Sequence, residues 1–406
     1  MHTLRVLGSV LALLVFAVGC QSDGSAPEPA AERLETPAAP GSGQPRLYTA
    51  PGGTVWMSWV DPVDDSTHAL RYATRTDTTW SVPTTVATGA DWFVNWADLP
   101  SVRPLPGGRL AAHYLESNGA SALAYAVRIT QRAGGTWHEA VTPHEDGTPT
   151  EHGFVSMVPW PDDRLLAVWL DGRNLSGDGH GGGDMTLRSA VLDSTGTVQA
   201  RHLVDDRTCE CCATSTVRMG DEALVAYRGR TDDEIRDIRL ARFDGERWSE
   251  PTRLHADDWQ IEGCPVNGPA LAAQGERVAA AWFTAAGGVP RVKAAFSTDG
   301  GRRFTDPVVV AEGQTKGRVD VVLLDDGSAV VSWLGTAGDR GVVQVRTIQP
   351  DGRRSTPTTL ATLRSAARRT GFPKLVRSGN FLYGAWVGQE DGKSQVQTVR
   401  ISTSDV

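Results

Sequence analysis

Seven short apolar runs, each closing on or next to an aromatic residue, recur along this chain. They read VWMSWV (55–60), LAAHYLE (110–116), LLAVWLD (165–171), ALVAYRG (223–229), VAAAWFT (278–284), AVVSWLG (329–335) and LYGAWVG (382–388). Aligned on Trp59, Tyr114, Trp169, Tyr227, Trp282, Trp333 and Trp386, they stand 51 to 58 residues apart. A turn signal rich in Gly, Asp or Asn precedes each run, and a second strand-like run follows, as in LRYATR (70–75), IRLARFD (238–244), RVKAAFS (291–297) and VVQVRTI (342–348). Helical periodicity is scarce. A period near 50 residues with about four strands in it is the pattern of a β-propeller, in which each small sheet buries its faces against its neighbours around a ring. The chain is therefore expected to be all-β, a propeller of about seven four-stranded blades over residues 46–406. The last unit ends right after its third strand, so a strand from the N-terminal segment is expected to close the ring.

Composition narrows the class of partner. A formal charge of -8 over 406 residues argues against nucleic acid or an anionic membrane surface as ligand, since both call for a basic face. The first residues read as an export signal: MHTLR is a short basic region and VLGSVLALLVFAVG an apolar run too short for a comfortable membrane span. The AVGC stretch (17–20) resembles the bacterial lipobox. That resemblance implies a signal peptide over 1–19 and lipidation of Cys20, with Gln21 pointing to the outer membrane of a bacterial cell envelope. Residues 20–45, rich in Pro, Ala, Gly and Ser, are expected to form a tether.

One turn carries a family resemblance. STDGGRRF (297–304) has Ser297, Asp299, Gly301 and Phe304 at the spacing of the Asp-box, with looser copies in TRTDTTW (74–80), QRAGGTW (131–137) and ARFDGERW (241–248). The chemistry is local: a carboxylate accepts turn N–H groups, the Gly takes φ > 0, and the aromatic packs beneath. After residue 45 the chain resembles the sialidase-like Asp-box (BNR) propellers. Sialidases themselves have six blades, which is the alternative architecture, and the motif is informative about fold rather than activity.

Repeat phase then sorts residues by face. The links leading into the blades fall about fifteen to eighteen residues before the aligned aromatics and include WADLPSV (96–102), EHGFVSM (151–157), CECCATS (209–215), GCPVNGP (263–269), KGRVDVV (316–322) and RRTGFPK (368–374). In a propeller these links share one face with the loops between second and third strands, at the mouth of the central channel. That rim is expected to gather Asp98, His152, Asn267, Asp320, four cysteines and several arginines.

The cysteines of CECCATS, Cys209, Cys211 and Cys212, lie in a link neighbouring that of Cys264. In an exported protein disulfides are the expectation, with Cys264 bridged to one of the three and the other two left to pair locally. A soft, copper-like thiolate site with His152 or His180 nearby and a redox role are the competing readings. No cofactor is expected.

Arginines suit an anionic ligand because the planar guanidinium binds carboxylates in a bidentate fork. Sialidases hold the sugar carboxylate with three of them, so the resemblance implies Arg318, Arg368 or Arg369, and Arg228 or Arg230, with His152 and Asn267 beside them. Pairing of the loop arginines with Asp232, Asp233, Glu234 and Asp237 is the structural alternative. By position Asp98, Glu210 and Asp320 are the candidate acids, the resemblance favouring Asp98. No Tyr stands in a link to complete the sialidase Tyr–Glu pair, and the N-terminal Arg-Ile-Pro of that family is missing. The expected function is binding or hydrolysis of an acidic glycan by a monomeric, lipid-anchored propeller of exo-sialidase type. A non-catalytic scaffold in an envelope assembly and a metal-handling protein are the alternatives.

Overall fold

A computed structural model describes residues 30–76, 78–176 and 182–406. Cys20, the export signal and His180 lie outside the described residues. The chain forms seven four-stranded antiparallel sheets, a seven-bladed propeller as expected and not the six-bladed alternative. In the first six blades the strands pair in chain order, from Gly43–Thr49 through Thr84–Gly89 in blade one to Thr315–Leu323 through Thr358–Leu363 in blade six.

The seventh blade takes three strands from the C-terminus, Lys374–Ser378, Phe381–Glu390 and Lys393–Ser402. Its fourth strand, Glu32–Leu34, comes from the N-terminal segment and pairs Glu32 with Arg400 and Leu34 with Thr398. The expectation of a tether over 20–45 is corrected for residues 32–45, residues 20–29 lying outside the described residues. Residues 32–34 close the ring, Leu34 and Ala38 are buried, and blade one begins at Gly43 rather than 46. A segment with few apolar residues was enough, because the ring already offers an unpaired strand edge and a half-built apolar layer that one Leu and one Ala complete.

Packing explains the sequence period. All seven aligned aromatics lie in second strands and are at most 9% exposed. The described core divides into seven apolar clusters, each lying mainly between two neighbouring blades. One holds Trp59 and Leu34 between blades seven and one, and another holds Trp386 and Leu360 between blades six and seven. Each blade therefore covers the next, and no blade is complete alone.

The turn at 297–304 joins the third and fourth strands of blade five, on the face opposite the links. Ser297 Oγ accepts from Gly301 N at 2.8 Å, and Asp299 Oδ1 accepts from Arg302 N and Arg303 N at 3.1 and 2.9 Å. Gly301 sits at φ 77°, where a Cβ would come within 2.6 Å of Leu224, and Phe304 packs partly buried on the cluster between blades four and five. Among the described residues no helix is long and apolar enough to cross a membrane.

Candidate functional site at the channel mouth

Six successive blade-to-blade hydrogen bonds run around one rim. Gln44 Nε2 donates to the carbonyl of Asp98 at 3.0 Å, and Asp98 Oδ2 accepts from Phe154 N at 2.8 Å. Thr214 Oγ1 donates to Phe154 O at 2.8 Å, and Asn267 N to Cys212 Sγ at 3.3 Å. Arg318 N donates to Asn267 Oδ1 at 2.7 Å, and Arg318 Nη1 to Gly371 O at 2.8 Å. Gln44, Phe154, Cys212, Asn267, Arg318 and Gly371 each stand fifteen residues before their blade's aligned aromatic, so residues at one step of the repeat do meet at one mouth. Four of them take positive φ: Gln44 at 55°, Phe154 at 54°, Arg318 at 54° and Gly371 at 64°. At the first three the innermost strand carries a bulge, with register shifts between Gly43 and Arg46, Gly153 and Ser156, and Gly317 and Asp320. Each non-glycine at such an angle costs roughly 1–3 kcal/mol, and strain of this kind gathers where side chains must be aimed.

The sector formed by blades six, seven and one is basic. Arg318 is buried and lies over the half-buried Trp96 ring at 4.9 Å, with Phe372 stacked on Trp96. Its Nη1 donates to two carbonyls, Ala367 O and Gly371 O, and burial together with the Arg368 charge lowers its pKa to about 10. Arg368 is exposed and reaches the Trp96 ring at 6.0 Å. Beside this aromatic pair opens a cavity of 630 Å³ lined by Arg33, Arg340, Arg364 and Arg369, His68 and Trp386, and, among the described residues, by no Asp or Glu. Arg33 is neutralised by Glu390 at 2.5 Å. Among the described residues Arg340, Arg364 and Arg369 have no carboxylate partner.

The opposite sector, blades two to four, gathers the acids. Tyr125 OH donates to Glu151 Oε1 at 2.7 Å, and burial pushes the Glu151 carboxyl up to about 7, with the Glu210 charge adding to it. Burial also raises Asp98 to about 7, against the Phe154 N–H that favours its charge. Tyr125 is only 1% exposed, however, so its hydroxyl is sealed behind the rim.

The structure corrects several expected roles. Arg228 is 1% exposed and donates to Asn267 O, Arg236 O and Phe283 O at 2.9, 2.5 and 2.7 Å, so it braces the rim rather than meeting a ligand. Arg230 and Arg236 share Glu210 and Glu234 between them, which turns Arg230 and Glu210 towards each other rather than to a ligand. The loop arginines are thus paired, though chiefly with Glu210 and Glu234. His152 is fully buried, stacked 3.8 Å from His144 and hydrogen-bonded to Asp146 at 3.2 Å. Asn267 spends both side-chain groups on the rim, its Nδ2 donating to Pro265 O and Lys316 O. Asp98 is buried at 1% exposure, and Asp320 is tied to Val321 N and Leu375 N, so neither presents a free carboxyl at the mouth.

Of the four cysteines, Cys211 and Cys264 form a disulfide linking the links into blades four and five, with Cα atoms 6.1 Å apart. Cys209 and Cys212 are free and buried, which corrects the expectation of a second bridge. Their Sγ atoms lie 3.4 Å apart, and Arg236 Nη1 donates to Cys209 Sγ at 3.2 Å. Burial opposes the Cys209 thiolate, but the Cys212 thiol and the Arg236 and Arg228 charges outweigh it and hold Cys209 at about 7. Cys212 is pushed the other way by burial and by its neighbour.

Trp96 and Phe372, the platform of the basic sector, stand in links already visible in the sequence. Arg340 and Arg364 border the third and fourth strands of blade six, and the channel-phase pattern gave them no distinction.

Fold and rim together define a seven-bladed β-propeller with a polarised mouth. No family profile and no curated protein matches the chain. Among solved structures, a protein of unknown function from Dyadobacter fermentans is 10% identical, with 92% of this chain and 97% of that one covered at a TM-score of 0.52. NanB sialidase from Streptococcus pneumoniae is 13% identical, with 91% and 68% covered and a TM-score of 0.47. The α-L-arabinofuranosidase Arb93A from Fusarium graminearum is 13% identical, with 92% and 98% covered and a TM-score of 0.48. At such identities the likeness is one of fold.

Proposed function

We propose that this propeller binds an anionic carbohydrate at its channel mouth, in the cavity between blades six, seven and one. One observation carries the reading. In a chain of net charge -8, a cavity of 630 Å³ is lined by four arginines, three of them without a carboxylate partner among the described residues, beside the stacked Trp96 and Phe372. Uncompensated guanidinium groups suit carboxylate or sulfate, and an aromatic face beside them suits the apolar face of a sugar ring. The volume fits a ligand of one to three sugar units. Binding is favoured over hydrolysis, because Asp98 is buried and Glu210 and Asp320 are committed to structural partners. An exported, lipid-anchored location through Cys20 is part of the same proposal, placing the mouth where envelope or environmental glycans are met.

The test is calorimetric titration with glucuronate- and sialate-terminated oligosaccharides and their neutral counterparts. Binding of the charged ligands alone, weakened by Arg364→Ala and Arg369→Ala, supports the reading. Equal binding of neutral and charged sugars, or no binding of either, overturns it.

A further inference from the structure

Cys209 and Cys212 are left unexplained by a carbohydrate site on the other side of the rim. They form a C-x-x-C pair, since Glu210 and Cys211 lie between them, and the pair is hidden within the run of three cysteines. Both thiols are buried, at 0% and 1% exposure, and their sulfurs are 3.4 Å apart. The third cysteine of the run is removed from competition by its bridge to Cys264. Each remaining sulfur accepts a hydrogen bond from a fixed donor, Cys209 from Arg236 Nη1 at 3.2 Å and Cys212 from Asn267 N at 3.3 Å. Donors aimed at both sulfurs stabilise thiolates, as hydrogen bonds around ligating sulfur do in metal sites.

We propose that Cys209 and Cys212 form a two-coordinate thiolate site for a soft monovalent cation, copper(I). Softness selects the class, because buried sulfur ligands favour copper(I), zinc or iron–sulfur clusters over hard cations. Coordination number then decides within it. Zinc needs four donors, and the nearest further ones are spent: Cys211 and Cys264 are bridged, and Glu210 is clamped by Arg230 and Arg236. Copper(I) is satisfied by two thiolates. The resulting unit places its Cys209 sulfur on the Arg236 N–H, a guanidinium that also holds Glu210 and Glu234. With metal–sulfur bonds of about 2.3 Å a digonal unit spans roughly 4 to 4.6 Å, so the sulfurs need open by only about 1 Å. Loading exchanges two thiol protons for one cation, and no electron is transferred.

The experiment is an anaerobic titration of the full chain with copper(I) against a chromophoric copper(I) chelator, with the thiols counted beforehand under non-reducing conditions. One copper(I) per chain is expected, abolished in Cys209→Ser and in Cys212→Ser and retained in the double variant Cys211→Ser/Cys264→Ser. Arg236→Lys keeps the charge but loses the fixed fork, and is expected to weaken binding about 10- to 100-fold. A circular-dichroism melt of each variant separates loss of the site from loss of the fold. X-ray absorption showing two sulfur ligands supports the assignment. A Cys209–Cys212 disulfide in the isolated protein, stoichiometry unchanged in Cys209→Ser, or zinc(II) competing equally with copper(I) would each overturn it.

Discussion

Replacing Arg228 by Met separates an arginine that holds the rim from one that meets a ligand. The substitution keeps the apolar stem and most of the volume but deletes the guanidinium. Three buried carbonyls then lose their donors: Asn267 O in the link into blade five, Arg236 O in the loop of blade four, and Phe283 O in blade five. The stacking over Trp259 at 4.9 Å goes with them. An unsatisfied buried acceptor costs about 1–3 kcal/mol, and relief of the guanidinium's own desolvation offsets part of the sum, leaving a net loss of roughly 3 kcal/mol. With an unfolding entropy of about 2.1 cal/mol/K per residue over the propeller, roughly 0.8 kcal/mol/K in total, that loss lowers Tm by about 4 °C. A calorimetric melt measures it directly. The arginines of the cavity give the contrast, because Arg369→Ala removes an exposed side chain and leaves Tm within about 1 °C. Should Arg228→Met melt like the parent protein while losing an anionic ligand, Arg228 would be a ligand arginine and the division of the rim drawn here would be wrong.

Other perturbations address the remaining parts. Arg364→Ala and Arg369→Ala are each expected to weaken a uronate-bearing ligand about tenfold, read by calorimetry, with the neutral sugar unaffected. Leu34→Ala hollows the layer between blades seven and one and is expected to cost about 2–5 kcal/mol in a urea melt; an exposed pair such as Arg33–Glu390 costs under about 1 kcal/mol when broken. The Glu151 carboxyl, raised from its ordinary 4.5 to about 7, binds its proton more tightly folded than unfolded. Its stabilisation is therefore full below about pH 4.5 and is lost as pH rises through 7, by about 3 kcal/mol at most. Asp98, also raised to about 7, adds to the slope over the same window, so Glu151→Gln should make the fall in Tm shallower without abolishing it, and an unchanged slope would refute the assignment.

The site was legible in part, and the boundary has a physical cause. Phase placed Asn267, Arg318 and the Cys212 link on one rim, because residues at equal steps of a ring must converge. Phase could not say what each side chain does there. Arg228 and Arg318 look alike in the sequence and both turn out buried, each donating to backbone carbonyls and lying 4.9 Å from a Trp ring. Both therefore brace the rim, while the cavity is lined by Arg340, Arg364 and Arg369 instead. The partners that decide this sit in neighbouring blades, some fifty residues away. The pair Cys209–Cys212 was obscured for a related reason. Three cysteines in a row offer several pairings, and only the position of Cys264 in the next blade chose Cys211.

By itself the sequence determined the all-β class, the seven sheets and the face on which the links gather. Those follow from local alternation of apolar residues and turn chemistry repeated at a fixed period. That a strand from the N-terminal segment closes the ring was also legible; only the closed ring decided that it is Glu32–Leu34, which arginines stay unneutralised and which thiols stay free. Each of those outcomes depends on contacts between units that are distant in the chain and meet only when the circle closes.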